Sequence, residues 1–307
     1  MLLQRTIRKA VHAIGIGVHS GEKVRVTLRP AEVNTGIRFY RADLGANESI
    51  IARANRVTDT TLSTTIGNGF HEVATVEHLM SALWGLGIDN LRVDLQGSEI
   101  PILDGSAAPF VYLIQSAGIE EQNQGRQFIR ITKTIEVRHG DAWARLKPFN
   151  GFKASYTFVA DHPVYNRYPK SASINFANRS YVQEVSRARS FGLVSELEQA
   201  QAFDKCLGSS LHNAVGIDDF SVLNEEGLRY EDEFAKHKLL DAIGDLYLLG
   251  TTVIGAFEGY KSGHGLNNQL ALELLRRQDA WKYEGTHAAD ESLWTQDVRP
   301  LAGALSG

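Results

Sequence analysis

A histidine and an aspartate lie four residues apart on a predicted helix and could share one metal ion. His237 and Asp241 fall in a segment with helical apolar periodicity, and residues i and i+4 of a helix lie on one face. An imidazole nitrogen and a carboxylate oxygen on that face are both ligands that zinc accepts. A helical His-x-x-x-Asp pair is more often a surface ion pair, so the spacing alone leaves both interpretations open.

The first half of the chain offers a third metal ligand and a base beside it. A catalytic zinc site usually has three protein ligands, and His78 lies on a second predicted helix. Glu77 directly precedes it and could act as a general base if it points into the same cleft. A glutamate in the first turn of a helix also offsets the helix dipole, which is the commoner role. The pair does not match the His-Glu-x-x-His zinc motif, so that motif gives no support.

A glycine-rich loop carries a candidate for proton transfer. Gly263 and Gly265 flank His264 between a predicted strand and a predicted helix, and glycines let a backbone approach a ligand closely. Asp245 lies one turn beyond Asp241 on the same helical face. Its carboxylate beside His264 would raise the pKa of the imidazole and keep it cationic. A turn histidine without a role is the alternative interpretation.

The elements that must position these residues alternate between strands and helices. Period-2 and short apolar segments predict strands at Val24–Leu28, Gly36–Tyr40, Asn90–Leu95, Phe128–Val137, Trp143–Leu146, Phe152–Val159 and Val253–Phe257. Helices are predicted at Thr75–Leu86, Pro109–Ser116, Tyr181–Arg189, Asp232–Leu249 and Leu266–Ala280. Thr75 is the expected N-cap of the first helix and Gly87 its expected stop.

A short internal similarity suggests a duplicated architecture. The segment Glu77–Leu83 resembles Lys236–Ala242, so each half has one helix with a histidine near its start. Chance similarity between two amphipathic helices is the alternative. We predict an α+β fold of two similar domains, each a β-sheet packed on helices, with the active site between them. Polar residues 120–126 are the expected linker between domains 1–122 and 127–285, and 286–307 form a loosely ordered tail.

Composition restricts the class of protein. The chain has 307 residues and a formal net charge of -4, so no global charge field draws it to nucleic acid. Its single cysteine, Cys206, fits a reducing compartment. The N-terminus lacks the order of a signal peptide, and the apolar segment Leu246–Phe257 is too short to span a bilayer. We expect a cytoplasmic protein without a transmembrane segment.

Five segments together resemble the UDP-3-O-acyl-N-acetylglucosamine deacetylases, which catalyse the committed step of lipid A synthesis in Gram-negative bacteria. The resemblance extends from Gln4 to about Trp281, and its motifs occur in order along the chain. The motifs are Thr75-Val76-Glu77-His78-Leu79, Pro101-Ile102-Leu103-Asp104-Gly105-Ser106, Ser186-Arg187-Ala188-Arg189, His237-Lys238-Leu239-Leu240-Asp241-Ala242-Ile243-Gly244-Asp245 and Lys261-Ser262-Gly263-His264.

The resemblance implies the site and its metal. The implied metal ligands are His78, His237 and Asp241, holding zinc, with ferrous iron as the alternative ion. Glu77 is implied as the general base that activates the hydrolytic water. His264, oriented by Asp245, is implied as the cation that helps to protonate the leaving amine. Amide hydrolysis needs such a base, a stabilised oxyanion and a proton for nitrogen.

The resemblance also assigns substrate contacts and one insert. Ser190 stands where the family has an oxyanion-binding threonine, and Phe191 resembles an aromatic residue near the sugar. Lys238 and Lys261 match positions near the sugar and phosphates, and Gly263 lies beside them.

A second insert at about 191–212 is expected to form a hydrophobic passage for the acyl chain, with Leu193, Val194, Leu197, Phe203 and Leu207 as its apolar residues. Ala142 replaces a lysine common in the family, so nucleotide contacts are expected to differ there. The implied partner is an acylated UDP-sugar, and the family suggests a monomer. A catalytically silent binding protein for acylated UDP-sugars is the alternative function.

Overall fold

The computed structural model describes residues 2–45 and 48–285; the tail expected at 286–307 lies outside them. In the first half the elements are β1 (Leu3–Ile7), β2 (Val11–Ile16), β3 (Lys23–Pro30), β4 (Ile37–Arg41), β5 (Ile50–Ile51), β6 (Val57–Asp59), β7 (Thr65–Gly67), β8 (Glu72–Val73), α1 (Glu77–Leu86), β9 (Leu91–Gln96), α2 (Ala108–Ala117) and β10 (Ile119–Gly125).

The second half continues the alternation of strands and helices. Its elements are β11 (Gln127–Ile131), β12 (Ile135–His139), β13 (Ala142–Lys147), β14 (Phe152–Thr157), β15 (Ser171–Asn175), α3 (Tyr181–Glu184), β16 (Phe191–Leu193), α4 (Val194–Gln201), β17 (Val215–Ile217), α5 (Glu233–Tyr247), β18 (Val253–Tyr260), α6 (His264–Arg276) and β19 (Trp281–Gly285). Short 3-10 helices lie at Ala42–Leu44, Ala54–Arg56, Tyr165–Arg167 and Gln278–Ala280. The protein is an α+β protein, as the sequence predicts.

The two main sheets share one strand topology. In the first half β2 and β3 form an antiparallel hairpin, β3 pairs antiparallel with β9, β9 runs parallel to β4, and β4 pairs antiparallel with β5. The strands β12, β13, β18, β14 and β15 repeat this order and these directions in the second half. This repeated topology agrees with the similarity between the two histidine-bearing helices.

Alternating burial explains why the strands form where they do. In β3 the side chains of Val24, Val26 and Leu28 are buried, whereas Lys23 and Arg25 face solvent. Helix α1 is different, because every one of its residues is buried. It packs against α5 and α2, so it lies at the centre of the molecule and not on its surface. A residue on α1 therefore has little access to solvent except where a cavity reaches it.

Several element boundaries differ from the sequence prediction. Helix α1 begins at Glu77, and Thr75 is not its N-cap but has a left-handed backbone with φ 58°. Gly87 does end the helix in the left-handed conformation, as predicted. The predicted strand Phe128–Val137 is two strands, β11 and β12, and the predicted helix Tyr181–Arg189 ends at Glu184.

The polar segment expected to be a linker is a strand. Residues 119–125 form β10, which pairs antiparallel with β1, so the expected boundary at residue 122 falls inside a strand. The segment is polar because it belongs to a two-stranded ribbon with largely exposed side chains, not because it is irregular.

Within residues 2–45 and 48–285, the helices are all too short or too polar to traverse a bilayer.

Candidate metal centre and acid–base site

A close approach between α1 and α5 creates the site. The backbones come together at Gly244, where a Cβ atom would lie 2.0 Å from the carbonyl oxygen of Glu77. Only glycine fits this contact, because any side chain would collide with the main chain of α1. The start of α1, with His78, therefore lies against the turn of α5 that carries His237 and Asp241.

These three side chains converge on one point. Asp241 Oδ1 lies 3.4 Å from Nε2 of His78 and 3.4 Å from Nε2 of His237. The two imidazole rings meet edge to face with centroids 5.1 Å apart. All three residues are buried, and their ligand atoms lie within 4.8 Å of one another. The two ligating helices come from different halves of the chain.

The chemistry of this donor set fits a divalent cation. His237 Nδ1 lies 3.0 Å from the carbonyl oxygen of Ala188, which assigns the proton to Nδ1 and leaves a lone pair on Nε2. Burial lowers the pKa of His237 to about 3, although Asp241 opposes that shift, so the ring is neutral. Asp241 Oδ1 is buried and has no hydrogen-bond partner among the described residues. Lone pairs and a carboxylate oxygen packed this closely could hold a metal cation between them.

Glu77 lies beside the metal-ligand cluster and is almost fully buried. Its Oε2 accepts a hydrogen bond of 3.0 Å from the backbone N–H of Thr64, and its Oε1 is 3.9 Å from His264 Nε2. Burial raises the pKa of Glu77, and the neighbouring His264 and His78 only partly oppose it. A carboxylate with a raised pKa is a stronger base, which suits proton transfer near neutral pH.

His264 pairs with the buried Asp245 next to Glu77. His264 Nδ1 lies 3.0 Å from Asp245 Oδ2, and burial alone would lower the pKa of the imidazole. The carboxylates of Asp245 and Glu77 outweigh that effect and raise the pKa of His264 to about 9. The ring is therefore cationic at neutral pH. The structure corrects one expectation here, because His264 is the first residue of α6 and not part of a loop.

A cavity of about 520 Å³ opens onto the cluster and the acid–base pair. One wall is apolar and comes from β16, α4, β17 and the segment between α4 and β17, including Leu193, Val194, Leu197, Ala200, Leu211 and Val215. Strand β16 pairs in parallel with β17, so this insert extends beyond His212 to Ile217. Phe203 and Leu207 were expected in the wall but are 80% and 47% exposed and do not line the cavity.

The other expected substrate residues divide into two groups. Ser190, Phe191 and Lys238 line the cavity. Ser190 Oγ lies 3.4 Å from His237 Nε2, and Lys238 Nζ donates a hydrogen bond of 3.1 Å to Asp241 Oδ2. Lys261 does not line the cavity and pairs with Asp141 on the surface. Gly263 caps the start of α6 next to His264.

A buried ion pair fixes the segment that carries Ser190. Arg189 is 2% exposed, and its Nε and backbone N–H each donate a hydrogen bond of 2.9 Å to Oε1 of the fully buried Glu233. Glu233 opens α5, so the pair ties residues 188–190 to the helix that carries His237 and Asp241. The ion pair thereby fixes the positions of Ser190 and the Ala188 carbonyl relative to the metal ligands.

Sequence reasoning missed some residues at the site. Thr64 bonds to two of the carboxylates, yet it lies in a short polar run without periodicity. His19, which the sequence did not assign to the site, lines the cavity, with Cys206 Sγ 3.7 Å from its Nδ1. Only the glycines around His19 and the Ser-Thr-Thr run hinted at unusual backbone in these segments.

Fold and site together define an α+β protein with a buried His-His-Asp metal-ligand cluster and an acid–base pair at one cavity. The family model of UDP-3-O-acyl N-acetylglycosamine deacetylase matches residues 4–276 of this chain. A protein of Methylococcus capsulatus named UDP-3-O-acyl-N-acetylglucosamine deacetylase is 54% identical, over 92% of this chain and 93% of its own length. Proteins of the same name from Acidithiobacillus ferrooxidans and Legionella pneumophila are 55% and 56% identical, with the same coverage. The chain belongs to the UDP-3-O-acyl N-acetylglycosamine deacetylase family.

Proposed function

We propose that this protein hydrolyses the N-acetyl group of a UDP-3-O-acyl-N-acetylglucosamine, in the committed step of lipid A biosynthesis. The names of its relatives supply the substrate and the reaction. The observation that carries the proposal is the unpartnered Oδ1 of Asp241 between two imidazoles, beside Glu77 and His264. A site of this kind has little purpose in a purely structural protein.

The metal would be held by His78, His237 and Asp241. Two imidazoles and a carboxylate suit zinc, and ferrous iron accepts the same donors. When bound, such an ion acts as a Lewis acid that polarises the acetyl carbonyl and lowers the pKa of water. Three protein ligands leave room for small molecules in the remaining positions.

Two side chains divide the proton transfers. Glu77 would accept a proton from the attacking water as its oxygen bonds to the acetyl carbon. His264, cationic and next to Glu77, would donate a proton to the sugar nitrogen as the C–N bond breaks. Acetate and the free amine leave, and Ser190 offers a hydroxyl donor to the developing oxyanion.

The cavity walls suit an acylated sugar nucleotide. The apolar wall formed by β16, α4 and β17 would take the acyl chain, since hydrocarbon is favourably removed from water there. Lys238 would place a positive charge near the sugar and its phosphates, and Phe191 would pack on the sugar. We propose that Lys261 and Gly263 contact the outer end of the substrate, beyond the cavity.

The direct test measures acetate release from the acylated UDP-sugar, with chelator and with zinc or ferrous ion restored. We expect activity to vanish with the metal and return with it. Glu77→Ala should keep the metal bound while turnover falls by about 10²–10⁴-fold, the usual contribution of a general base. Near-normal turnover in Glu77→Ala would refute the assigned base.

A catalytically silent binding protein is the competing function. Such a protein would bind the acylated UDP-sugar without releasing acetate. Its sequence would lack one of the metal ligands or the base. Here both the ligand cluster and the base are in place. Substrate binding without acetate release, in protein of full metal content, would favour this alternative.

A further inference from the structure

Thr64 makes hydrogen bonds to two different carboxylates of the site. Its backbone N–H donates to Glu77 Oε2 at 3.0 Å, and its Oγ1 donates to Asp245 Oδ1 at 2.6 Å. The residue is 1% exposed and lies just before β7, in the first half of the chain. Its hydroxyl therefore reaches across to α5, in the second half, while its amide holds the base on α1.

The main chain of Thr64 is fixed independently of these two bonds. Its carbonyl oxygen accepts a hydrogen bond of 3.2 Å from the N–H of Val76, the residue directly before α1. The amide, carbonyl and hydroxyl of one residue are thus all engaged by groups around the site. A side chain anchored in this way has a defined direction, so its bond to Asp245 constrains the carboxylate.

The hydroxyl completes the set of donors around Asp245. His264 Nδ1 and Asn267 Nδ2 contact Oδ2 at 3.0 and 2.9 Å, while Thr64 contacts Oδ1. Donors on both oxygens prevent the carboxylate from turning about its terminal bond. Without Thr64 the carboxylate could rotate, and the imidazole bonded to it would shift relative to Glu77.

We propose that Thr64 is a positioning residue that holds the base Glu77 and the Asp245–His264 pair in one fixed arrangement for proton transfer. The inference rests on the proposed function and adds a residue to it. It does not require Thr64 to touch the substrate. A catalytic group displaced by about 1 Å loses roughly 10²-fold in rate, so a residue of this kind acts mainly on kcat.

The experiment compares variants of the full-length, metal-loaded enzyme. Thr64→Val removes the hydroxyl but keeps the shape and the amide, Thr64→Ser keeps the hydroxyl, and Thr64→Ala removes both hydroxyl and methyl. Thr65→Val is the matched control, because Thr65 is also buried, adjacent, and without a described bond to either carboxylate. Metal content and melting temperature are measured for each variant beside kcat and KM.

We expect Thr64→Val and Thr64→Ala to lower kcat by about 10–100-fold with KM within about twofold, because positioning is lost and binding is not. Thr64→Ser should recover kcat to within about threefold of wild type, and Thr65→Val should match wild type. A loss that Thr64→Ser does not recover, or one shared by Thr65→Val, would overturn the proposal.

A double-mutant cycle separates positioning from a general structural effect. In a His264→Ala background the Thr64 hydroxyl has no imidazole to orient, so Thr64→Val should cost less than about threefold there. An equal cost with and without His264 would contradict action through the Asp245–His264 pair. Acetate release by the unaltered chain tests the proposed function, whereas the ratio of variant to wild type tests Thr64.

Discussion

At the scale of single residues, the charge of His264 is decided by its two carboxylate neighbours. Burial disfavours the imidazolium, but Asp245 in hydrogen-bond contact and Glu77 at 3.9 Å favour it more. The resulting pKa of about 9 keeps the ring protonated throughout the neutral range. The same arrangement leaves Glu77 as the basic partner, so an acid and a base lie next to each other, 3.9 Å apart, at one cavity.

Asp245→Asn should move the alkaline limb of the pH profile to lower pH. The substitution removes a negative charge that raises the pKa of His264, so the imidazole would lose its proton earlier as pH rises. We expect kcat/KM to fall from a pH below that of wild type, with a lower maximum as well. The measurement is kcat/KM from about pH 6 to about pH 10, a range that spans the imidazole pKa in both proteins.

The control for this prediction is Asp279→Asn, which removes a half-exposed carboxylate bound to Arg277 and Lys133, on the 3-10 helix before β19. It should leave the profile unchanged. An alkaline limb at the wild-type position in Asp245→Asn would show that His264 is not the group responsible for it.

The sequence predicted the site residues that belong to helices better than those that depend on backbone geometry. Helical spacing places His237 and Asp241 on one face, and their ligand atoms converge with that of His78 in the structure. Thr64 could not be found in this way, because one of its two bonds uses a backbone N–H that every residue has. Thr75 was a wrong N-cap for a related reason, since its left-handed φ of 58° is imposed by tertiary structure.

At the scale of elements, the packing of α1 on α5 brings the residues of two helices together into one site. Both helices are almost entirely buried, so neither has the polar outer face of an ordinary amphipathic helix. Their closest approach falls at Gly244 and Glu77, directly beside the metal ligands. Any residue that separates the helices at this point would also separate His78 from His237 and Asp241.

Gly244→Ala should therefore reduce both stability and activity. The added methyl would lie 2.0 Å from the carbonyl oxygen of Glu77, and main chain cannot move aside as a flexible side chain does. Overpacking of this kind costs about 1–3 kcal/mol in the free energy of unfolding. Denaturant titration measures that loss, and an assay of acetate release measures the displacement of the site.

Gly285→Ala is the control for this packing test, because a Cβ atom there meets none of the described residues within 4 Å. If Gly244→Ala were as stable and as active as this control, the packing of α1 on α5 would not depend on close contact.

Element types were easier to predict than element boundaries. The alternation of β3 and the periodicity of α1 and α5 are local signals, so these elements were found close to their observed positions. The polar strand β10 carries no such signal, because its pairing partner β1 lies far away in sequence. Whether Phe203 and Leu207 line the cavity also depends on tertiary packing, which explains why both were placed wrongly.

At the scale of the whole molecule, the metal ligands join the two halves of the chain. His78 comes from the half that contains the first sheet, and His237 and Asp241 come from the half with the repeated topology. An ion bound by all three would have its full ligand set only in the folded protein. Metal binding is therefore linked thermodynamically to the docking of α1 on α5.

Removing the metal should lower the stability of the whole molecule, and restoring it should raise the melting temperature in a concentration-dependent way. At a free zinc concentration about 100 times Kd, a ligand that binds only the native state contributes about 2.7 kcal/mol. We expect chelated protein to melt several degrees below the zinc-loaded protein, as followed by circular dichroism.

Asp241→Ala should lose this response to zinc, because it deletes the oxygen that lies between the two imidazoles. Asp241→Ala also removes the hydrogen bond from Lys238 to Oδ2, so the zinc-induced rise in melting temperature is compared within each protein and not between the apo forms. An equal zinc response in Asp241→Ala and wild type would place the stabilising ion elsewhere and remove the metal from the proposed mechanism.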